Sequence, residues 1–169
     1  TEAGLDAITI DLDYPDFTVG GINFATMAQK VQADLAEVGI TVNLKGAEVG
    51  VWLEGYRDGK LPFTLSLWGP DFLDPGNYLE FLPEYKVGKR AQWANANSEK
   101  AIQDLRDQAA VATAPEDRVK LFGGIQDYLQ ANGPYAPIVQ GGTQIGYSAA
   151  LKGFVYSPAW RVDIALLSK

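Results

Sequence analysis

The chain has no cysteine and no histidine among its 169 residues. That inventory removes thiol nucleophiles, disulfides, zinc fingers, Ser-His-Asp triads and HExxH metal sites. Most common catalytic designs are therefore absent, and neither an enzyme nor a bound metal or cofactor is expected. Absence of cysteine does not by itself assign a compartment, since many cytosolic proteins share it. Long apolar runs are missing too: none approaches the roughly 20 residues needed to span a bilayer. Residues 1–6 lack the basic stretch and apolar run of a secretion signal, so the expectation is a soluble chain shown without any targeting segment. Positive charge is scarce. The 14 Lys and Arg against 21 Asp and Glu leave a net charge of −7, which disfavours phosphate neutralisation and removes nucleic acid as a partner.

What is present is ordinary for a folded protein: 47% hydrophobic and 21% charged residues, with no repeat and no low-complexity tract. A chain of this length buries roughly two thirds of its unfolded surface, so one domain over residues 1–169 is expected.

Residues 7–12 alternate apolar and polar, as a strand with one buried face requires. After a turn-rich stretch, Phe24, Met27, Ala28, Val31, Leu35 and Val38 recur at helical spacing, and Gly39 suits the position just past a helix end. Residues 40–44 alternate again. Strand, helix and strand with such short joints predict a parallel βαβ unit and an α/β class. Val49, Trp52, Leu53 and Tyr56 predict a shorter helix closed by Gly59, and residues 63–67 a third strand. From 69 to 97 three prolines and three glycines prohibit long elements and favour a winding loop, with one helical turn over 77–82. Loops of that length in compact domains are usually functional.

Two helices follow, one carrying Ala101, Ile102, Leu105, Ala109 and Ala112, the other Val119, Phe122, Ile125 and Leu129, both expected to pack on the sheet. Between them Thr113-Ala114-Pro115-Glu116 reads as a capping box. Residues 136–139, 144–148 and 153–156 read as short strands or extended segments.

One segment carries a resemblance. Trp68-Gly69-Pro70-Asp71-Phe72-Leu73-Asp74-Pro75 is similar to the W-x-x-D-[YF]-x-D-P signature of the dipeptide/oligopeptide/nickel family (family 5) of ABC-transporter extracellular solute-binding proteins. Gln92 to Asn97, Ala114 to Arg118, Gly133 to Ile138 and Leu151 to Pro158 follow in the family's order. The resemblance runs from about residue 8 to 169 and covers the C-terminal lobe of these larger, two-lobed proteins. It implies a periplasmic-binding-protein type II lobe with a mixed sheet and flanking helices. It further implies a peptide or small-molecule ligand, an ABC transporter membrane permease and a missing N-terminal lobe as partners, and a periplasmic or extracytoplasmic, lipid-anchored or free, location.

In peptide-binding members the Asp three residues after the signature Trp contacts the ligand's α-amino group. Here that position is Asp71, where a charge-assisted hydrogen bond to an ammonium contributes about 1.5–3 kcal/mol. The structural alternative is a loop carboxylate capping backbone amides. Asp74, directly before Pro75, is expected to cap a helix start. Trp68 and Phe72 are candidate cleft residues, although a Trp at a strand end is often core. Gln140 is either ligand-facing or a solvated turn residue. Residues 63–67 lack the Arg that some oligopeptide binders carry there, so a ligand carboxylate would need a partner on the other lobe. Lys86, Lys89 and Arg90 form a basic cluster, expected as a solvated loop. Two other functions compete: a solute-sensing module of a bacterial regulator, and a glycosidase using Asp71 and Asp74 as acid and base.

Overall fold

In the computed structural model, which describes residues 8–142, 144–157 and 161–169, the first alternating segment forms strand β1 (Ile8–Pro15). Ala7 of the expected strand and Pro158 of the last quoted motif lie outside the described residues. A hairpin of β2 (Thr18–Val19) and β3 (Ile22–Asn23) leads into helix α1 (Phe24–Glu37). The helix begins where Asn23 Oδ1 accepts from the Thr26 amide at 2.9 Å, satisfying a donor that the first turn leaves without a partner. It ends where Gly39, at φ +82°, turns its amide onto the Ala36 carbonyl at 3.0 Å. Strand β4 (Ile40–Ala47) then pairs in parallel with β1, Ile8 opposite Ile40 through to Pro15 opposite Ala47. Phe24 and Ala28 of α1 close the core over Leu12, Val42 and Leu65. The apolar stripe stops short of Val38, which is the C-cap and 71% exposed, because Gly39 redirects the chain before another apolar position can face the strands.

Helix α2 (Val49–Arg57) starts at Glu48, whose Oε2 accepts from the Gly50 amide at 2.8 Å. The expected third strand contracts to one parallel bridge between Thr64 and Asp13. Asp13 donates to the Phe63 carbonyl at 3.0 Å and accepts from the Leu65 amide at 2.9 Å. The next amide on that edge of β1 would be that of Pro15, which has no N–H, so the ladder ends there. Leu65 is nevertheless buried, and Thr64 Oγ1 accepts from Trp52 Nε1 at 2.9 Å. Trp52 stacks on Tyr56 with centroids 5.0 Å apart, and the Arg90 guanidinium lies 5.0 Å from the Tyr56 ring centre. Of the expected basic cluster Arg90 is thus a packing residue, while Lys86 and Lys89 are exposed.

These elements make up one of two compact units, which runs to Trp68 and takes in Lys89–Gln92; the other comprises Gly69–Gly88 and the chain from Trp93 onward. The short helix α3 (Lys86–Arg90) gives its last two residues to the first unit. In the second unit a 3-10 helix (Pro75–Phe81), helix α4 (Lys100–Val111) and helix α5 (Pro115–Asn132) share a core of Leu79, Leu82, Trp93, Ile102, Ala109 and Ile125. The helices pack on each other and on the 75–85 segment rather than on a sheet, because Leu79, Leu82 and Trp93 supply the apolar surface. Val119, expected in the α5 stripe, is 77% exposed. A Cβ on Gly88 would lie 2.1 Å from the Leu82 carbonyl oxygen, so only glycine fits that crossing. Arg106 is buried with two of its bonds directed at Pro83 O (2.7 Å) and Asn95 Oδ1 (2.8 Å), tying α4 to the turns that precede it.

The expected capping box at Thr113 is displaced: α5 has Ala114 as N-cap with no side-chain cap, and Pro115 takes the first helical position. Proline is pre-organised for that position and has no N–H to leave unpaired, which moves the start one residue past the threonine. Residues 136–142 and 144–148 are exposed and outside any strand. The last pairing is the antiparallel β5 (Tyr156–Ser157) with β6 (Arg161–Val162), joined by a bridge between Lys152 and Ser168. The α/β class holds, with parallel and antiparallel pairs in separate small sheets.

Truncating Ile102, fully buried in the second core, to Ala is expected to lower the unfolding free energy by about 2–5 kcal/mol. Val119→Ala on the next helix should change it by no more than about 0.5 kcal/mol. Urea unfolding of both variants measures the contrast, and equal effects would contradict the core assignment.

Candidate functional site

The segment from Gly69 to Asp74 opens the second unit. Glycine and proline at its start prevent regular structure, and its apolar residues do not anchor it, since Phe72 is 51% and Leu73 65% exposed. Polar contacts hold it instead. Asp74 is the N-cap of the 3-10 helix, with Pro75 in the first helical position, as the sequence predicts. Its Oδ1 accepts from the Gly76 amide at 2.7 Å and also from Arg118 Nη2 at 2.6 Å. Asn77, 4% exposed, accepts at Oδ1 from the Asp71 amide at 2.9 Å. Asp71 is thereby fixed through its backbone while its side chain stays exposed.

Phe72 shares the exposed loop with Asp71. Trp68 is half-buried and closes the first unit. Gln140 lies in the exposed segment after α5, and among the described residues no hydrogen bond joins it to Asp71. Two residues that the motif reading did not single out, Asn77 and Arg118, do most to shape the loop. Their signal was present, since Asn77 follows Asp-Pro-Gly at a helix start and Arg118 closes the quoted Ala114 to Arg118 motif, but nothing in the spacing says that Arg118 reaches a residue 44 positions earlier.

The electrostatics follow from these contacts. The Gly76 amide, reinforced by the Arg118 guanidinium, holds the Asp74 carboxyl below the ordinary carboxylate range. A general acid requires the opposite shift, so Asp74 is unsuited to protonating a glycosidic oxygen. Beside this pair lies a cavity of about 390 Å³ lined by Pro75, Thr113, Pro115, Arg118, Val119 and Phe122, which contains none of the predicted site residues. Among the described residues no group of carboxylates is arranged to hold a metal ion, and no helix is long and apolar enough to cross a membrane.

Comparison with known proteins finds similarity in sequence and in fold. Residues 17–87 match the bacterial extracellular solute-binding proteins, family 5 Middle. Di/tripeptide-binding protein 4 of Pseudomonas aeruginosa (strain UCBPP-PA14) is 27% identical over 174 residues, covering 99% of this chain and 32% of that protein. The dipeptide-binding protein of Escherichia coli (strain K12) is 26% identical over 159 residues, covering 93% of this chain and 30% of that protein. The crystal structure of the dipeptide binding protein from Pseudoalteromonas sp. SM9913 in complex with Met-Leu superposes with a TM-score of 0.79 at 22% identity, over all of this chain and 34% of that one. The chain is thus similar to the family 5 solute-binding proteins, and its fold is that of type II periplasmic binding proteins. It spans about a third of the length of the curated relatives it matches.

Because its folded-state pKa is depressed, Asp74 contributes stability that is present above the ordinary carboxyl range and is lost as pH falls through the lowered value. Arg118→Gln should move the Asp74 titration upward while leaving it below the ordinary range, since the Gly76 amide remains. Carboxyl carbon NMR between pH 2 and 6 reads this directly; an unmoved midpoint would remove Arg118 from the account.

Proposed function

We propose that this chain is the C-terminal ligand-binding lobe of a larger, two-lobed solute-binding protein that delivers peptides or related small solutes to an ABC importer. In this reading residues 1–169 form one wall of the cleft, an N-terminal lobe forms the other, and hinge closure around the ligand is what the membrane permease recognises. The protein works outside the cytoplasmic membrane, free or lipid-anchored, and does no covalent chemistry on its ligand. The observation that carries the proposal is the Trp68 to Pro75 signature with the Asp71 carboxylate exposed on a backbone held by Asn77. The similarity to proteins named for di- and tripeptide binding supports the ligand class.

Asp71 is the residue assigned to the ligand's α-ammonium, with Phe72, Trp68 and Gln140 as further ligand contacts. A carboxylate accepting from an ammonium in a water-poor cleft contributes about 1.5–3 kcal/mol. A ligand carboxylate needs its cation elsewhere, because residues 63–67 contain none.

In the full-length protein, Asp71→Asn keeps the side-chain shape and removes the charge, so calorimetric affinity for Met-Leu should fall about tenfold to more than a hundredfold. N-acetylating the dipeptide should cost the parent a similar factor and the variant little more. Asp117→Asn, an exposed carboxylate on α5, is the control and should bind as the parent does. Unchanged affinity in Asp71→Asn together with a lowered melting temperature would make Asp71 a structural loop residue.

A further inference from the structure

The loop that carries Asp71 has almost nothing apolar to hold it, yet fixing a residue's backbone costs about 1–2 kcal/mol. If that ordering is not already done in the free protein, it is subtracted from ligand affinity. The folded chain does it through polar contacts that run inward from the loop, all within the second unit. The Asp71 amide donates to Asn77 Oδ1 (2.9 Å), the Asp74 amide to the Phe72 carbonyl (3.1 Å), and the Asn77 amide to the Asp74 carbonyl (3.0 Å). Asn77 is itself buried beside the core residue Leu79. At the other end, Asp74 Oδ1 is held by Arg118, and Arg118 is held in turn where α4 meets α5: its Nη1 donates to the carbonyl of Ala112, the C-cap of α4 (3.1 Å), and its guanidinium carbon lies 5.2 Å from the ring centre of Phe122 on α5.

Resting on the reading of Asp71 as the ligand's ammonium acceptor, we propose that Arg118, acting through Asp74, is the positioning residue that keeps the Asp71 loop in its binding conformation before ligand arrives. Arg118 touches no ligand in this scheme. It joins the first turns of α5 to the carboxylate that caps the 3-10 helix, and Asn77 on that helix holds the Asp71 amide. Losing the Asp74–Arg118 bond leaves the cap at Gly76 intact but frees the Pro75 end of the helix from α5. The displaced group is then the loop, and not the core around Ile102.

The test uses the 169-residue chain without ligand and the full-length protein with Met-Leu. Nitrogen relaxation should give the Asp71 and Phe72 amides order parameters near the rigid value of about 0.85 in the parent and below about 0.6 in Arg118→Gln. Ile102 should be unaffected, and Arg118→Lys, which restores a cation to Asp74, should recover much of the order. In the full-length protein Arg118→Gln should weaken Met-Leu binding by about three- to tenfold, less than Asp71→Asn does, in line with the loss of one hydrogen bond. Order parameters that stay rigid in Arg118→Gln, or a loss of thermal stability with the loop unmoved, would overturn the proposal and make the pair a structural clamp. If the loop loosens but the parent protein binds no peptide, the positioning role stands and the peptide reading fails.

Discussion

Asp74 Oδ1 accepts from two donors that belong to different parts of the second unit, the Gly76 amide next to it and the Arg118 guanidinium on α5. The first contact starts the 3-10 helix and the second fixes that helix to the longest helix of the chain. Asn77, one turn further on, then has its side chain turned onto the Asp71 amide. A charged acceptor suits this role because hydrogen bonds to charged groups contribute more than neutral ones. In an exposed loop without apolar anchors there is little else to order the backbone.

Each unit reaches its core by a different route. The first is a parallel strand pair covered by an amphipathic helix, and its sheet stops growing because Pro15 stands where the next donor should be. The second has no strand in its core. Leu79, Leu82 and Trp93, supplied by turns and 3-10 segments, give α4 and α5 the apolar surface that a sheet would otherwise provide. Segments without regular structure can do this because their polar groups are met individually, as when buried Arg106 donates to Pro83 and Asn95.

Local periodicity made the first unit legible. The alternation of β1 and β4, the spacing from Phe24 to Leu35 and the positions of Gly39 and Gly59 are all short-range signals, and the βαβ unit follows from them. Asp74 before Pro75 was legible for the same reason. The failures have a common cause. Whether residues 63–67 make a strand depends on a proline fifty positions earlier, and whether Val119 is core depends on which face of α5 the turns cover. The link from Arg118 to Asp74 is a tertiary contact that no window of sequence contains. At Thr113 two local rules competed, a capping box and a proline preferring the first helical position, and the proline prevailed. The signature brought out Asp71, but not the residues that hold it.

We propose that the loop held by Asp74 is where a ligand's amine docks. Adding millimolar Met-Leu to the nitrogen-labelled 169-residue chain and following its amide resonances tests that claim even when one lobe alone binds weakly. The largest shifts are expected to fall on Asp71, Phe72 and Leu73 and to disappear with the N-acetylated dipeptide. Shifts confined to Val119 and Phe122 around the neighbouring cavity, or shifts at Asp71 that persist after acetylation, would contradict the proposal.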